Sequence, residues 1–348
     1  MRKLMNMKAS DIDFYNLGFN FIETKTMFVS DFKDGKWSEG KLVPFGPFEI
    51  SPGACILNYG QGIFEGMKAL RAKTGEIVLF RPHENGKRLN DSADRMLLPN
   101  YDVDKFVDNV KQVVKANKDY VPPYDSGGAL YIRPILIGNG PILGVAPANE
   151  HKLIIFTVPV GPYFPEGFKA IDLEISKKYT RAAPGGSGYA KTCCNYAPTM
   201  KPAKETKAKG FAQIIYLDAA HMEYIDEVGT ANFFAIINGK LATPKAVGTI
   251  LPGITRRSVL EIAEKKLGME VEERDISYKE LFEDSCTEAF CTGTAAIITP
   301  IGSVVLEDQK KVWNNGEPGE LTKKLYDLLT GIQRLEIKDE FGWIVKVE

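Results

Sequence analysis

Two apolar runs near the middle of the chain, ALYIRPILIG (129–138) and KLIIFTVPV (152–160), most restrict what it can fold into. Both are bounded by turn formers, VPPYDSGG (121–128) before the first and GPYFPEG (161–167) after the second, and both read as buried strands. Such strands need other elements packed over them. The same half supplies helices. One is expected at 83–98, after the strand-like EIVLFRP (76–82), and a second places Phe106, Val110, Val113, Val114 and Asn117 on one face. Strands and helices alternate here, but not as a regular βαβ series.

The second half is richer in short strands. FAQIIYLD (211–218), HMEYIDEV (221–228), NFFAIING (232–239) and KLATP (240–244) are separated by turn-forming residues, which predicts an antiparallel sheet or barrel. An amphipathic helix follows at 255–268, with Val259, Ile262, Ala263 and Leu267 on one face and Gly268 as its stop. Leu321, Leu325, Leu328 and Ile332 repeat at helical spacing near the end. The class expected is α+β. At 348 residues the chain is long for a single core. The expected organisation is a smaller α/β domain at 1–160, a linker at 161–167, and a larger domain at 168–348 with a barrel-like core.

Lys and Arg total 44 against 45 Asp and Glu, so no net field draws nucleic acid or an anionic membrane. No stretch approaches the length of a membrane span. Chemistry on a small molecule is the expectation that remains. The N-terminal MRKLMNMKASDIDFYN lacks an apolar core of signal-peptide length, and Cys55, Cys193, Cys194, Cys286 and Cys291 include no C-x-x-C pair. A reducing, cytoplasmic location without a bound metal is expected.

Three segments could carry chemistry. In YTRAAPGGSGYAKTCCNYAP (179–198) a glycine-rich turn delivers Lys191 among small residues. A lysine held where its charge is disfavoured can attack a carbonyl and form a Schiff base; read alone, the segment is equally a surface loop with a solvated lysine. In MEYIDEVGTANFFAI (222–236) Glu227 ends a strand before a Gly-Thr turn. A carboxylate there could keep a pyridine nitrogen protonated, or could simply be solvated. In GTILPGITRRSV (248–259) a glycine turn opens onto a helix N-terminus, and CTGTAA (291–296) offers a second donor-rich turn. Both suit a phosphate and both also occur as plain caps.

These segments, together with NYGQGIFEGMKAL (58–70), FRPHENGKRLNDSADRM (80–96), LYIRPILIGNGPILGV (130–145) and PVGPYFPEG (159–167), resemble the blocks of the branched-chain amino acid aminotransferase family, in family order. The resemblance covers about the whole chain. It implies a two-domain fold type IV enzyme using pyridoxal 5′-phosphate. Lys191 would carry the cofactor as a Schiff base and act as acid and base, Glu227 would pair with the pyridine nitrogen, and Tyr196 would bond the phenolic oxygen. Arg88, Ile254, Thr255 and Thr294 would hold the phosphate. By the same likeness Thr230 and Ala295 meet the substrate α-carboxylate, Phe21, Tyr59, Phe64 and Tyr131 line the pocket, and Arg133 admits the side-chain carboxylate of glutamate or 2-oxoglutarate. Without the resemblance, Arg88 beside Lys87 reads as a solvated helix residue, and the aromatic residues as core.

The implied reaction is reversible, ping-pong transfer of an amino group between L-leucine, isoleucine or valine and 2-oxoglutarate. The implied assembly is a homodimer with shared active sites, in which the loop at 140–145 completes the neighbour's pocket. Cys193 and Cys194 occupy no family catalytic position and read as buried small residues. AAIITP (295–300) stands where some animal members carry a redox-active C-x-x-C. A D-amino acid aminotransferase or an aminodeoxychorismate lyase would keep the same lysine, carboxylate and phosphate turns. A non-catalytic binding module of this fold would be marked by loss of the lysine, and Lys191 is present.

Overall fold

A computed structural model describes residues 7–162 and 167–347. Its backbone contacts separate two compact units. Unit 1 is Met1–Pro165 with Ala190–Cys194 and Gly331–Glu348, and unit 2 is Glu166–Tyr189 with Asn195–Thr330. Part of the expected linker, residues 163–166, lies outside the described residues.

Unit 1 is built on an antiparallel sheet of β1 (Thr26–Lys33), β2 (Lys36–Trp37), β3 (Lys41–Pro44), β4 (Gly62–Phe64), β5 (Met67–Arg71), β6 (Ile77–Phe80), β7 (Ala129–Gly138) and β8 (His151–Val160). The last strand of the chain, Ile344–Lys346, returns to pair with β6. The two apolar runs of the sequence pair with each other along their whole length, from Ala129 opposite Val160 to Gly138 opposite His151. Alternation then sorts their side chains. Leu130, Ile132 and Leu136 enter a core with Leu89 and Ala93 of α2 (Pro82–Met96) and Phe106, Val110, Val113 and Val114 of α3 (Val103–Ala116). Ala129 and Tyr131 belong to a smaller cluster with Leu70, Val78 and Val158. Asp102 caps α3, its carboxylate accepting from Lys105 N at 2.8 Å.

Unit 2 contains a closed barrel of six strands. These are β9 (Ile171–Ser176), β10 (Gln213–Leu217), β11 (Ile225–Val228), β12 (Ala231–Ile237), β15 (Cys286–Gly293) and β16 (Ile297–Leu306); β13 (Lys240–Thr243), β14 (Val271–Glu273) and β17 (Gln309–Val312) extend it. Closure leaves the six without a free edge. Inside it Leu173, Ile215, Phe233, Ala289 and Val304 form one core. The strands expected from the sequence pair antiparallel in order, β10 with β11, β11 with β12 and β12 with β13, whereas β9, for which the sequence sets no expectation, runs parallel to both β10 and β16. Parallel neighbours need a long crossover, and the lysine-bearing segment together with α4 (Met200–Ala208) is that crossover. HMEYIDEV also shortens to Ile225–Val228, because Asp218 folds the preceding residues into a turn by accepting from Glu223 N and Tyr224 N.

The helix at 255–268 is α5 (Ile254–Leu267), stopped by Gly268 at φ 62°. The last helix, α6 (Glu320–Gln333), begins on a carboxylate from the barrel: Glu288 accepts from Leu321 N, Thr322 N and Thr322 Oγ1 at 3.1, 2.9 and 2.7 Å. An anion at a helix N-terminus meets unpaired N–H groups and the favourable end of the dipole. A Cβ on Gly319 would lie 2.1 Å from the Glu288 carboxyl carbon, so only glycine lets the carboxylate approach. Replacing Glu288 by Gln is expected to lower unfolding free energy by about 1–2 kcal/mol in denaturant titrations, and Gly319→Ala by at least as much. Midpoints equal to the parent's would show that this cap contributes nothing.

Candidate active site

In unit 1 the candidate site is assembled around the backbone of Lys191. Phe64 N, at the end of β4, donates to Lys191 O at 3.0 Å, and Ile63 forms an antiparallel bridge with Thr192. The buried Thr192 hydroxyl donates to Gly62 O at 2.8 Å. On α2, Ser92 Oγ accepts from Lys191 N at 2.9 Å. Lys191 is thus held as one more piece of sheet edge, and its Nζ lies 4.8 Å from the centre of the Phe64 ring, within cation–π range.

Ser92 is one of three buried polar residues that α2 presents at helical spacing; the others are Asn85 and Arg88, and the three are 2, 4 and 1 % exposed in chain order. Asn85 and Arg88 converge on Glu65, which is fully buried in the turn between β4 and β5. Arg88 Nε and Nη2 donate to the two Glu65 oxygens at 2.7 and 2.8 Å, and Asn85 Nδ2 donates to Oε2 at 2.7 Å. Burial pushes the Glu65 carboxyl up, but the Arg88 charge and hydrogen bonds, with Lys191 and Asn85, hold it below the usual carboxylate range. Arg88 is therefore a buried, ion-paired residue, not the solvated one its polar neighbours suggest.

Phe64 also carries the Arg133 guanidinium, 4.8 Å from its ring centre, and Tyr131 lies 5.2 Å away on the same cation. Arg133 Nη2 donates to the Tyr131 hydroxyl at 3.2 Å, while its Nε is buried with no hydrogen-bond partner. Gly66 leaves room for this arrangement, since a Cβ there would sit 2.2 Å from the Tyr131 oxygen. Phe21 packs against Phe45 and Phe156 and is 54 % exposed. The Tyr59 hydroxyl donates to Leu143 O. Cys193 and Cys194 are exposed, which corrects the expectation of burial. They follow Thr192 in a short turn at the edge of the pinned segment, where Cys194 Sγ reaches Gly60 O at 3.4 Å.

In unit 2, Glu227 on β11 is 1 % exposed. Arg181 Nη1 lies 2.6 Å from Glu227 Oε2, and both side chains are almost wholly buried. Arg181 also donates to Gly188 O and Thr249 O, clamping the glycine loop to the turn before α5. On the other side of Glu227, Asn232 Nδ2 donates to Glu227 Oε1 at 3.0 Å and to Leu251 O at 2.9 Å. A Cβ on Gly253 would lie 2.0 Å from Asn232 Oδ1. The carboxylate and the opening of α5 are therefore built as one piece. Ile254 and Thr255 form the first turn of α5, whose N-cap Gly253 offers no side chain to its N–H groups.

The second turn lies between β15 and β16. Just before it, on β15, Thr292 Oγ1 is buried without a partner, and in the turn Thr294 and Ala295 are half-buried. Thr230 is exposed after Gly229. Tyr196 is half-buried, its carbonyl accepting from Thr199. Asn195 and Ser187 bond each other reciprocally at 2.7 Å and tie the glycine loop down.

Residues 62–304 match the family model of amino-transferase class IV. Branched-chain amino acid aminotransferase 2, chloroplastic, of Humulus lupulus is 44 % identical over 342 residues, spanning 98 % of this chain and 83 % of that protein. Branched-chain-amino-acid aminotransferase 2 of Bacillus subtilis (strain 168) is 41 % identical, spanning 99 % and 96 %. The solved structure of the branched-chain amino acid aminotransferase from Escherichia coli has a TM-score of 0.77 and 29 % identity, over 94 % of this chain and 100 % of that one. The chain belongs to the branched-chain aminotransferases of class IV.

The fold expected from the sequence is that of this family. The donor set suits pyridoxal 5′-phosphate, the cofactor of the fold. Within unit 2, an α5 N-terminus whose N-cap offers no side chain and a buried threonine hydroxyl without a partner suit a phosphate, and Glu227 is a fixed carboxylate suited to a protonated ring nitrogen; within unit 1, Arg88 is a buried guanidinium, a group that suits an anion. Sequence reading missed Glu65, Asn85 and Ser92 in unit 1 and Arg181 and Asn232 in unit 2. The spacing of Asn85, Arg88 and Ser92 was visible, but a polar stripe on a helix is ordinarily its solvent face.

Beside Glu227, burial pushes the Asp226 carboxyl from an ordinary 3.8 up to about 6, only partly opposed by the Thr249 hydroxyl. Its Oδ2 has no hydrogen-bond partner. A raised folded-state pKa means the folded chain binds that proton more tightly. Its stabilising effect is thus complete below the unfolded value and is lost as pH rises towards 6. Asp226→Asn is expected to stabilise the chain by about 2 kcal/mol near pH 7.5 and by almost nothing near pH 4. Melting curves at the two pH values check this, and a pH-independent difference would contradict it.

Proposed function

We propose that this chain catalyses reversible transfer of the amino group between L-leucine, L-isoleucine or L-valine and 2-oxoglutarate, with pyridoxal 5′-phosphate as cofactor. The observation that carries the reading is the setting of Lys191. Its amine rests over Phe64, and Arg133, with a buried and unsatisfied Nε, rests over the same ring. An aromatic wall accepts a branched aliphatic side chain, and a guanidinium beside it accepts the carboxylate of glutamate. The D-amino acid aminotransferase and lyase alternatives are not favoured by relatives that match over nearly the full chain.

When bound, the cofactor supplies the electron sink that makes loss of the substrate's α-proton feasible. Lys191 would hold it covalently and move the proton taken from Cα. Glu227, fixed by Arg181 and Asn232, would keep a proton at the ring nitrogen. Tyr196 would bond the phenolic oxygen. Arg88, the first turn of α5 at Ile254 and Thr255, and Thr294 would hold the phosphate. Thr230 and Ala295 would orient the α-carboxylate, while Phe21, Tyr59, Phe64 and Tyr131 would exclude water around the side chain. The amino acid leaves as its 2-oxo acid before 2-oxoglutarate enters, so the kinetics are ping-pong.

The proposed assembly is a homodimer in which the loop at 140–145 completes the neighbour's pocket. Leu143 and Val145 support it, being 92 and 89 % exposed, since large apolar side chains so exposed mark a surface that a partner covers. The proposed location is cytoplasmic, in keeping with five free cysteines; the chloroplastic name belongs to the plant relative.

Lys191→Ala is expected to abolish leucine:2-oxoglutarate transfer with the circular dichroism spectrum and melting midpoint kept. Appreciable turnover by that variant without added amine would contradict the role of the lysine. Glu227→Gln is expected to slow transfer by roughly tenfold or more, and an unchanged rate would remove the carboxylate from the mechanism. Leu143→Asp is expected to shift sedimentation towards the monomer and raise KM. A dimer with unaltered KM would exclude the loop from the shared site.

A further inference from the structure

We infer that Glu65 is a positioning residue for the phosphate: by holding the Nε and Nη2 edge of Arg88, it fixes the plane in which that guanidinium is offered to an anion. The inference rests on the reading of Arg88 as a phosphate ligand and goes beyond it, because Glu65 itself bonds no cofactor atom in that reading.

A guanidinium has five N–H groups in a rigid plane, and two of them here are committed to one carboxylate at 2.7 and 2.8 Å. A bidentate pair of this kind sets the plane as well as the position. The carboxylate is itself immobilised. Asn85 Nδ2 donates to Oε2 at 2.7 Å, Gly66 N donates to the same oxygen at 3.1 Å, and Glu65 N donates to Pro134 O at 2.9 Å. Glu65 is 0 % exposed and Arg88 4 %. No solvent competes for either group.

A buried pair of this sort gives little net stability relative to apolar residues of similar size. A purely structural role would therefore be filled as well by a hydrophobic pair. What an apolar pair cannot do is leave one end of a cation rigidly aimed. The same Glu65 turn directly follows Phe64, whose N–H holds Lys191 O. Guanidinium and lysine are thus referenced to one short stretch of backbone.

The test compares the dissociation constants of pyridoxal 5′-phosphate and of pyridoxal, which lacks the phosphate, for the full-length chain by absorbance titration. Arg88→Met should weaken binding of the phosphorylated form by a hundredfold or so and leave pyridoxal nearly unchanged. Glu65→Gln, which places an amide N–H against a guanidinium N–H, should weaken it by roughly tenfold with the same selectivity. Asn85→Ala, which keeps both charges and removes only one hold on the carboxylate, should give a smaller loss of the same kind and serves if Glu65→Gln does not fold. In an Arg88→Met background, Glu65→Gln should no longer alter the ratio of the two constants. If Arg88→Met leaves the ratio untouched, the reading of Arg88 as a phosphate ligand fails. If Arg88→Met changes the ratio while Glu65→Gln or Asn85→Ala weakens both ligands equally or neither, Arg88 keeps its role and the inference about Glu65 is overturned.

Discussion

The hydrogen bond from Phe64 N to Lys191 O is the constraint on which the candidate site depends. It makes the lysine segment an extra edge on β4, and the Thr192 hydroxyl and Ser92 secure the peptides on either side. A lysine carries much rotamer entropy, and a nucleophile that wandered would lose the advantage of orientation. Fixing its backbone N and O anchors Cα, so that only the side chain is left to settle against Phe64. The crossover between β9 and β10 is what makes this possible, because a parallel pair requires a long connection and Ala190–Cys194 is the part of it that joins unit 1.

Electrostatic order is supplied separately in each unit by a buried acid that is held by both a base and a side-chain amide. Glu65, Arg88 and Asn85 form one set, and Glu227, Arg181 and Asn232 the other. Breaking one partner of a pair so deeply buried typically costs about 3–5 kcal/mol, so neither carboxylate is free to turn. Both amides make further use of the hold: Asn85 reaches Gly66 O at 3.3 Å, and Asn232 reaches Leu251 O. Each set is therefore tied to the backbone of an adjoining turn as well as to its own charges.

Local patterns were legible where one force acts alone. The paired runs of β7 and β8, the stop of α5 at Gly268 and the helix carrying Phe106 and Val110 follow from burial and from glycine's tolerance of positive φ. The candidate site residues were named through family likeness, since a lone lysine among glycines has no unique reading. Three things were hidden. The parallel pairing of β9 depends on distant partners. The return of Ile344–Lys346 to β6 rests on a strand of three residues, too short to show a period. The buried polar stripe of α2 looks like a solvent face until the acid it serves, Glu65, is placed beneath it.

The most direct measurement of the central claim is the near-ultraviolet and visible spectrum of the purified chain with pyridoxal 5′-phosphate, read before and after adding L-leucine or, in a separate cuvette, D-alanine. The account predicts that L-leucine shifts the cofactor band, that 2-oxoglutarate restores it, and that D-alanine does neither. A response to D-alanine alone, or no cofactor band dependent on Lys191, would contradict it.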